Sequence, residues 1–181
     1  MRSCIVLLSL ALLLAGCDTP SQNQGFVIRD ASIRVTPRAV HVRLDQQLQL
    51  SPEAIEALEH GVPLTINLAL ELRNAETLNL MVEDEQRFKV SFLPLSQHYQ
   101  LEVEGDEEHR TYPRLRHVMA AINNREHILE GAPLSVGEYL VRGRVQLDRA
   151  ALPGPMQLPA VLSARWDLDS EWTNWPFSIN A

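Results

Sequence analysis

The chain has 181 residues, 45% of them hydrophobic and 22% charged, with 16 basic against 23 acidic residues and a formal charge of −7. That length suits one domain with a tail, and the apolar fraction is ample for a core and too high for general disorder. The acidic surplus argues against a nucleic-acid partner, which needs clustered Lys and Arg, and two cysteines leave no closed zinc site made of cysteines.

The first element is an export address. Arg2 supplies a positive start, and Ile5 to Leu14 is an apolar run of ten residues broken only by Ser9. A membrane span needs roughly 20 residues, so this run has the length of a signal-peptide core instead. Leu14-Ala15-Gly16-Cys17 follows and looks like a lipobox, with small residues ahead of a cysteine that receives a diacylglycerol and becomes the mature N-terminus. Residues 1–16 are therefore expected to leave as a lipoprotein signal peptide. Acyl chains on Cys17 are expected to hold the remainder on a bacterial membrane, as two or three chains anchor stably where one does not. Cys4 leaves with the signal and Cys17 becomes a thioether, so the exported domain has no disulfide to form.

Asp18 resembles the enterobacterial signal for retention in the inner membrane. It sets the expected location at the periplasmic face of that membrane, with the outer membrane as the alternative. Residues 17–25 form a polar tether, and its eight residues after Cys17, fully extended, reach at most about 28 Å, so the domain should ride close to its own bilayer. Without Arg2 the chain has 15 basic and 23 acidic residues, a charge of −8, so lipid rather than a basic patch must hold it there.

Residues 26–181 read as a single β-sandwich domain. Ile28–Val35 and Val40–Leu44 alternate weakly between apolar and polar. A helix follows: Ser51 caps it, Pro52 suits its first turn, Leu50 can staple onto Ile55, and Gly61 stops it. Ile55 and Leu58 share its expected buried side, and Glu53, Glu56 and Glu59 face out. Leu64, Ile66, Leu68, Leu70 and Leu72 alternate with Thr65, Asn67, Ala69 and Glu71, which predicts a strand with one buried face. Phe88–Phe92 and the Tyr99, Leu101, Val103 series predict two more. A second helix begins near Pro113, with Leu115, Val118, Met119 and Ile122 at helical spacing, and ends at Asn123-Asn124.

Tyr139, Val141, Val145 and Leu147 alternate with Arg142, Arg144, Gln146 and Asp148 in a further strand. Leu152 to Pro159 reads as a stiff, turn-rich connection, and Val161–Leu168 and Trp172–Ile179 read as the last two strands. One wet face per strand means antiparallel sheets. The expected fold is mostly β: an antiparallel immunoglobulin-like β-sandwich of about eight or nine strands with two short helices.

The order of these features resembles a known family. The stretches are Leu50 to Leu64 with the strand to Arg73, His98 to Leu101, the helix Leu115–Ile122, Leu152-Pro-Gly-Pro155, and Trp166 to Trp172. Together they resemble the uncharacterised proteobacterial domain-of-unknown-function 4390 family, also called proline-rich signal-peptide protein. The resemblance implies an exported domain and assigns no activity or functional residue. The family tends to place several tryptophans after the position of Arg73, where this chain has Asn74 to Met81. Relatives often occur beside a membrane sensor histidine kinase of the nitrogen-regulation type, which hints at a partner.

No motif for chemistry stands out. No serine has the Gly-x-Ser-x-Gly frame, and there is no P-loop or Gly-x-Gly-x-x-Gly. The six histidines form no metal-ligand pair; Glu56 and His60 are placed for a local ion pair at a helix end. Asp167, Asp169 and Glu171 would share one face of a strand but lack the pattern of a calcium loop, and a solvated face is the expected reading. Arg114, Arg116, Arg142 and Arg144 are expected to complement acidic neighbours on the surface. Trp166, Trp172 and Trp175 are the candidates for ligand or partner contact, with Trp166 in phase with Leu162, Ala164 and Leu168 toward the core. No cofactor and no metal is expected. The leading expectation is a non-enzymatic interaction or accessory module for a periplasmic or membrane protein. The alternative is a carrier or chaperone for an apolar ligand, and an enzyme ranks third.

Overall fold

The structure is a computed structural model and describes residues 25–131 and 134–180. The expected signal peptide, Cys17, Asp18 and all of the tether but Gly25 lie outside the described residues.

Among the described residues, nine strands form two antiparallel sheets. The smaller has the order β1-β2-β7, from β1 (Gly25–Val35), β2 (Ala39–Gln49) and β7 (Glu126–Glu130). The larger has the order β6-β5-β4-β3-β8-β9. Its strands are β3 (Leu64–Asn74), β4 (Leu80–Leu93), β5 (His98–Val103), β6 (Arg110–Tyr112), β8 (Gly137–Leu147) and β9 (Thr173–Ile179). The three α-helices among the described residues are α1 (Pro52–Glu59), α2 (Leu115–Asn123) and α3 (Gly154–Leu162).

The alternation seen in the sequence becomes the core. Val40, Val42, Leu44 and Leu48 of β2 are buried, as are all five alternating apolar residues of β3 from Leu64 to Leu72. Register keeps neighbours in phase: Leu70 opposes Gly143 on β8, and Leu68 opposes Val145. A one-residue slip would turn this whole set to solvent, so the register is strongly specified. Gly143 breaks the run of large inward side chains, and the Trp175 ring fills the space. A Cβ on Gly143 would lie 3.1 Å from Trp175 Cζ3 and 3.2 Å from Leu70 Cδ2.

Helix α1 forms as its start signal predicts. Ser51 Oγ accepts from the Ala54 N–H at 3.2 Å, and Gly61 takes the left-handed conformation with φ 90°. Ala54 and Leu58 are its buried residues, while Ile55 is only half-buried. Helix α2 buries Val118, Met119 and Ile122, and it is closed by Asn124. It packs beside the second half of β2, where β7 no longer pairs.

Three expectations are corrected. The connection from Leu152 to Pro159 is not merely a turn, because Gly154–Leu162 is helical. Pro155 sits in the first turn, where no donor is needed, and Gln157 Nε2 donates to the carbonyls of Ala150 and Leu152, both at 2.9 Å. Val161–Leu168 is not a strand. Its first residues finish α3, Ala164–Trp166 makes a 3₁₀ turn, and only its last residue meets β8, where the Leu147 N–H donates to the Leu168 carbonyl at 2.8 Å beyond the stretch of β8 paired with β9. An isolated bridge, Gln146 to Asp169, marks that contact. The third correction follows: Asp167, Asp169 and Glu171 do not share a strand face, and Glu171 has φ 57°.

The two ends of the strands differ. Gly25 enters opposite Gln49, and α1 follows Gln49 directly and leads into Leu64. Leu147 pairs with Ile66, so the segment leading to α3 starts at the same end. Contacts between α1 and the Ala164–Trp166 turn, and Arg165 bonded to Glu53 at 2.6 Å, join these pieces. The β3–β4 turn, the β1–β2 turn and the start of β8 lie at the other end. Eleven residues at about 3.3 Å each separate the two ends by roughly 35 Å.

Candidate functional site

The three tryptophans do not meet. Trp166 is buried in the core beside the end of α3, and Trp175 covers Gly143 on the inner face. Trp172 lies under Arg142, whose guanidinium carbon is 4.8 Å from the ring centroid. That contact is a cation–π pair on the outer face of the large sheet. Thus Trp166 and Trp175 pack the core, and the three line no common groove.

The arginines and acids on that outer face pair with each other. Arg142 bonds Glu71 at 3.4 Å, and Arg73 bonds the same carboxylate at 2.7 Å. Arg144 Nε lies 3.0 and 3.1 Å from the two Asp169 oxygens and holds that carboxyl below its ordinary range. His60 Nδ1 lies 2.7 Å from the Glu56 backbone oxygen, so its bond is to the carbonyl rather than the carboxylate. Asp84 faces inward opposite Leu70, and burial pushes its carboxyl up. No three His, Cys, Asp or Glu side chains converge among the described residues. A surface groove of about 480 Å³ runs between β2 and α2, lined by Gln46, Leu48, Leu50, Leu115 and Met119 and in part by the exposed Arg29.

The feature that calls for explanation is the β3–β4 turn. The β4 strand has 14 residues, but β5 covers only Phe88 to Leu93, so its first half has β3 on one side and a free edge on the other. Charged residues Glu83, Asp84 and Glu85 protect that edge from pairing with another chain. Beyond them the turn carries exposed apolar side chains: Leu78 at 58%, Leu80 at 43% and Met81 at 37%.

This turn is built rather than loose. Asn74 Oδ1 accepts from the Thr77 N–H at 2.9 Å, from the Glu76 N–H at 3.1 Å and from the Thr77 hydroxyl at 3.0 Å. Arg73 donates to the Leu78 carbonyl at 2.8 Å, and the Ala75 N–H donates to the Glu138 carbonyl on β8 at 3.0 Å. Leu78 has φ 58°, a left-handed conformation that costs a branched, bulky residue about 1–2 kcal/mol. Asparagine or glycine would sit there without that cost. The Leu78 side chain is exposed and gains little burial to offset this strain, and such outliers concentrate at functional positions. Val35 and Val136, also exposed, lie at this same end.

The chain matches the family described as domain of unknown function (DUF4390) over residues 23–176. It belongs to this family. The DUF4390 match covers the three helices described and all the strands but the last three residues of β9, and so includes the β3–β4 turn. Comparison with curated proteins and with solved structures finds no match.

The sequence pointed to the tryptophans and passed over Leu78, Leu80 and Met81. The available signal was a set of apolar residues inside a turn opened by Asn74 and punctuated by Asn79. Turn chemistry predicts polar residues there.

Proposed function

We propose that this chain is a lipid-anchored periplasmic domain that works as a non-enzymatic interaction module for a membrane protein, with the β3–β4 turn as its contact surface. The observation that carries the proposal is the strained, exposed Leu78 in a turn fixed by Asn74 and Arg73, at the end away from Gly25. A preorganised apolar tip loses little entropy on binding, which favours a protein partner. The lipobox at Cys17 supports anchoring, and Asp18 supports the inner membrane. Gly25 at one end and the turn at the other would present the tip away from the bilayer. The family resemblance suggests a sensor histidine kinase as the class of partner.

The finer fold reading is an immunoglobulin-like sandwich. The order β1-β2-β7 corresponds to strands A, B and E, and β9-β8-β3-β4-β5 to G, F, C, C′ and C″ of the variable type. Tyr139, near the start of β8, donates its hydroxyl to the Ser135 carbonyl at 2.9 Å, as the tyrosine corner of that fold does. Val141, two residues on and fully buried, stands where antibody domains have a cysteine.

The test is crosslinking in native membranes. Wild-type protein should yield a reproducible adduct with one membrane protein, and Leu78→Asp with Leu80→Asp should lose it while staying in the membrane fraction. Cys17→Ser should leave that fraction. No reproducible adduct, or an adduct unchanged by both turn substitutions, contradicts the proposal.

A further inference from the structure

Exposed large apolar side chains collect at both ends of the sandwich. At the Gly25 end they lie on α3: Leu158 is 69% exposed, Val161 58% and Leu162 79%. Residues at i, i+3 and i+4 share a helix face, so these three form one stripe. Met156 and Ala160 face the protein instead. None of the nine residues of α3 is charged, in a chain with 39 charged residues elsewhere. Leu95, fully exposed in the β4–β5 turn, lies at the same end, because Val90 pairs with Leu64 and Leu93 with His98. Clustered apolar exposure of this kind marks an interaction surface.

What covers this face follows from where the preceding chain attaches. Twenty-four residues precede Gly25, and Gly25 enters the fold at the α3 end. We infer that the exposed face of α3 rests in the interface of the bilayer to which the preceding segment is attached. This deepens the anchoring reading above and rests on it. An uncharged apolar stripe can settle at the boundary of headgroup and acyl chain. The acidic domain cannot be held there by anionic lipid, so the contact is apolar and insensitive to salt. With α3 against the lipid, the β3–β4 turn stands roughly 35 Å away, from strand length.

The test uses the full, lipidated chain in vesicles of phosphatidylethanolamine and phosphatidylglycerol. An environment-sensitive fluorophore is placed at Leu158→Cys and, in a second protein, at Leu80→Cys. Both positions are exposed, so neither change disturbs folding. The 158 label should shift to the blue on reconstitution and be quenched several-fold more strongly than the 80 label by lipids carrying a nitroxide. High salt should leave this unchanged. Vesicle-bound protein whose 158 label stays in water overturns the docking face and leaves the anchor intact. A 158 label that is dry without lipid, in a concentration-dependent way, assigns the face to a second copy and overturns the lipid. Protein that does not remain with vesicles overturns both readings.

Discussion

The Tyr139 hydroxyl donates to the Ser135 carbonyl at 2.9 Å, and its ring stacks on Phe177 with centroids 5.5 Å apart. One side chain thereby ties the entry of β8 to the preceding loop and to the edge strand β9. Tyr139→Phe keeps the stack and removes the bond. The net loss should be about 1 kcal/mol. Urea unfolding should show a lower midpoint with an unchanged slope, since the surface exposed on unfolding stays the same.

Gly143 makes a different demand. Its lack of a Cβ lets Trp175 and Leu70 close over the strand. Gly143→Ala would place a methyl 3.1 Å from the indole, so the ring must move. Overpacking of this kind costs about 1–3 kcal/mol. The tryptophan emission of the folded protein should shift as Trp175 becomes wetter, which separates displacement from a uniform loss of stability.

The strands that carry the core were legible because each has one dry face: β3 and β8 appear in the sequence nearly as they fold. The short β6 and β7 were not, since Arg110–Tyr112 has no apolar pattern and Glu126–Glu130 only two buried side chains. Val161–Leu168 shows how alternation misleads. Only Trp166 and Leu168 of the expected inward set are buried, while Leu162 and Ala164 are exposed. Leu158 and Leu162 are also spaced for a helix; of the prolines that suggested a turn, Pro153 caps that helix and Pro155 suits its first turn, while Pro159 stands inside it. The β3–β4 turn was hidden for another reason. A positive φ at Leu78 arises from Asn74 and Arg73 acting together, and neither residue signals it alone.

His127 is buried on β7, and burial, aided by the nearby Arg125 charge, pushes its pKa down to about 4. The unfolded chain binds that proton near the ordinary value of 6.5. Between the two values the unfolded state holds more protons, so stability falls as pH drops from about 6.5 to about 4. The full effect is about 3 kcal/mol. Denaturant midpoints measured across that window should fall steeply for wild type and more shallowly for His127→Gln.

Leu78 offers a trade between stability and function. Leu78→Asn keeps a left-handed residue in the turn and relieves the strain of leucine, so stability should rise by about 1 kcal/mol. The exposed apolar side chain is lost at the same time, so crosslinking to the partner should weaken. Thermal unfolding and crosslink yield, measured on the same preparation, should move in opposite directions.

In the proposal the two ends of the fold meet different surroundings, a partner protein at the β3–β4 turn and lipid at α3. A photo-activated crosslinking residue placed at Leu80 or at Leu158, in cells, tests it directly. Position 80 should give a discrete protein adduct and position 158 lipid adducts. Protein adducts at 158 with none at 80, or lipid adducts at both, would contradict it.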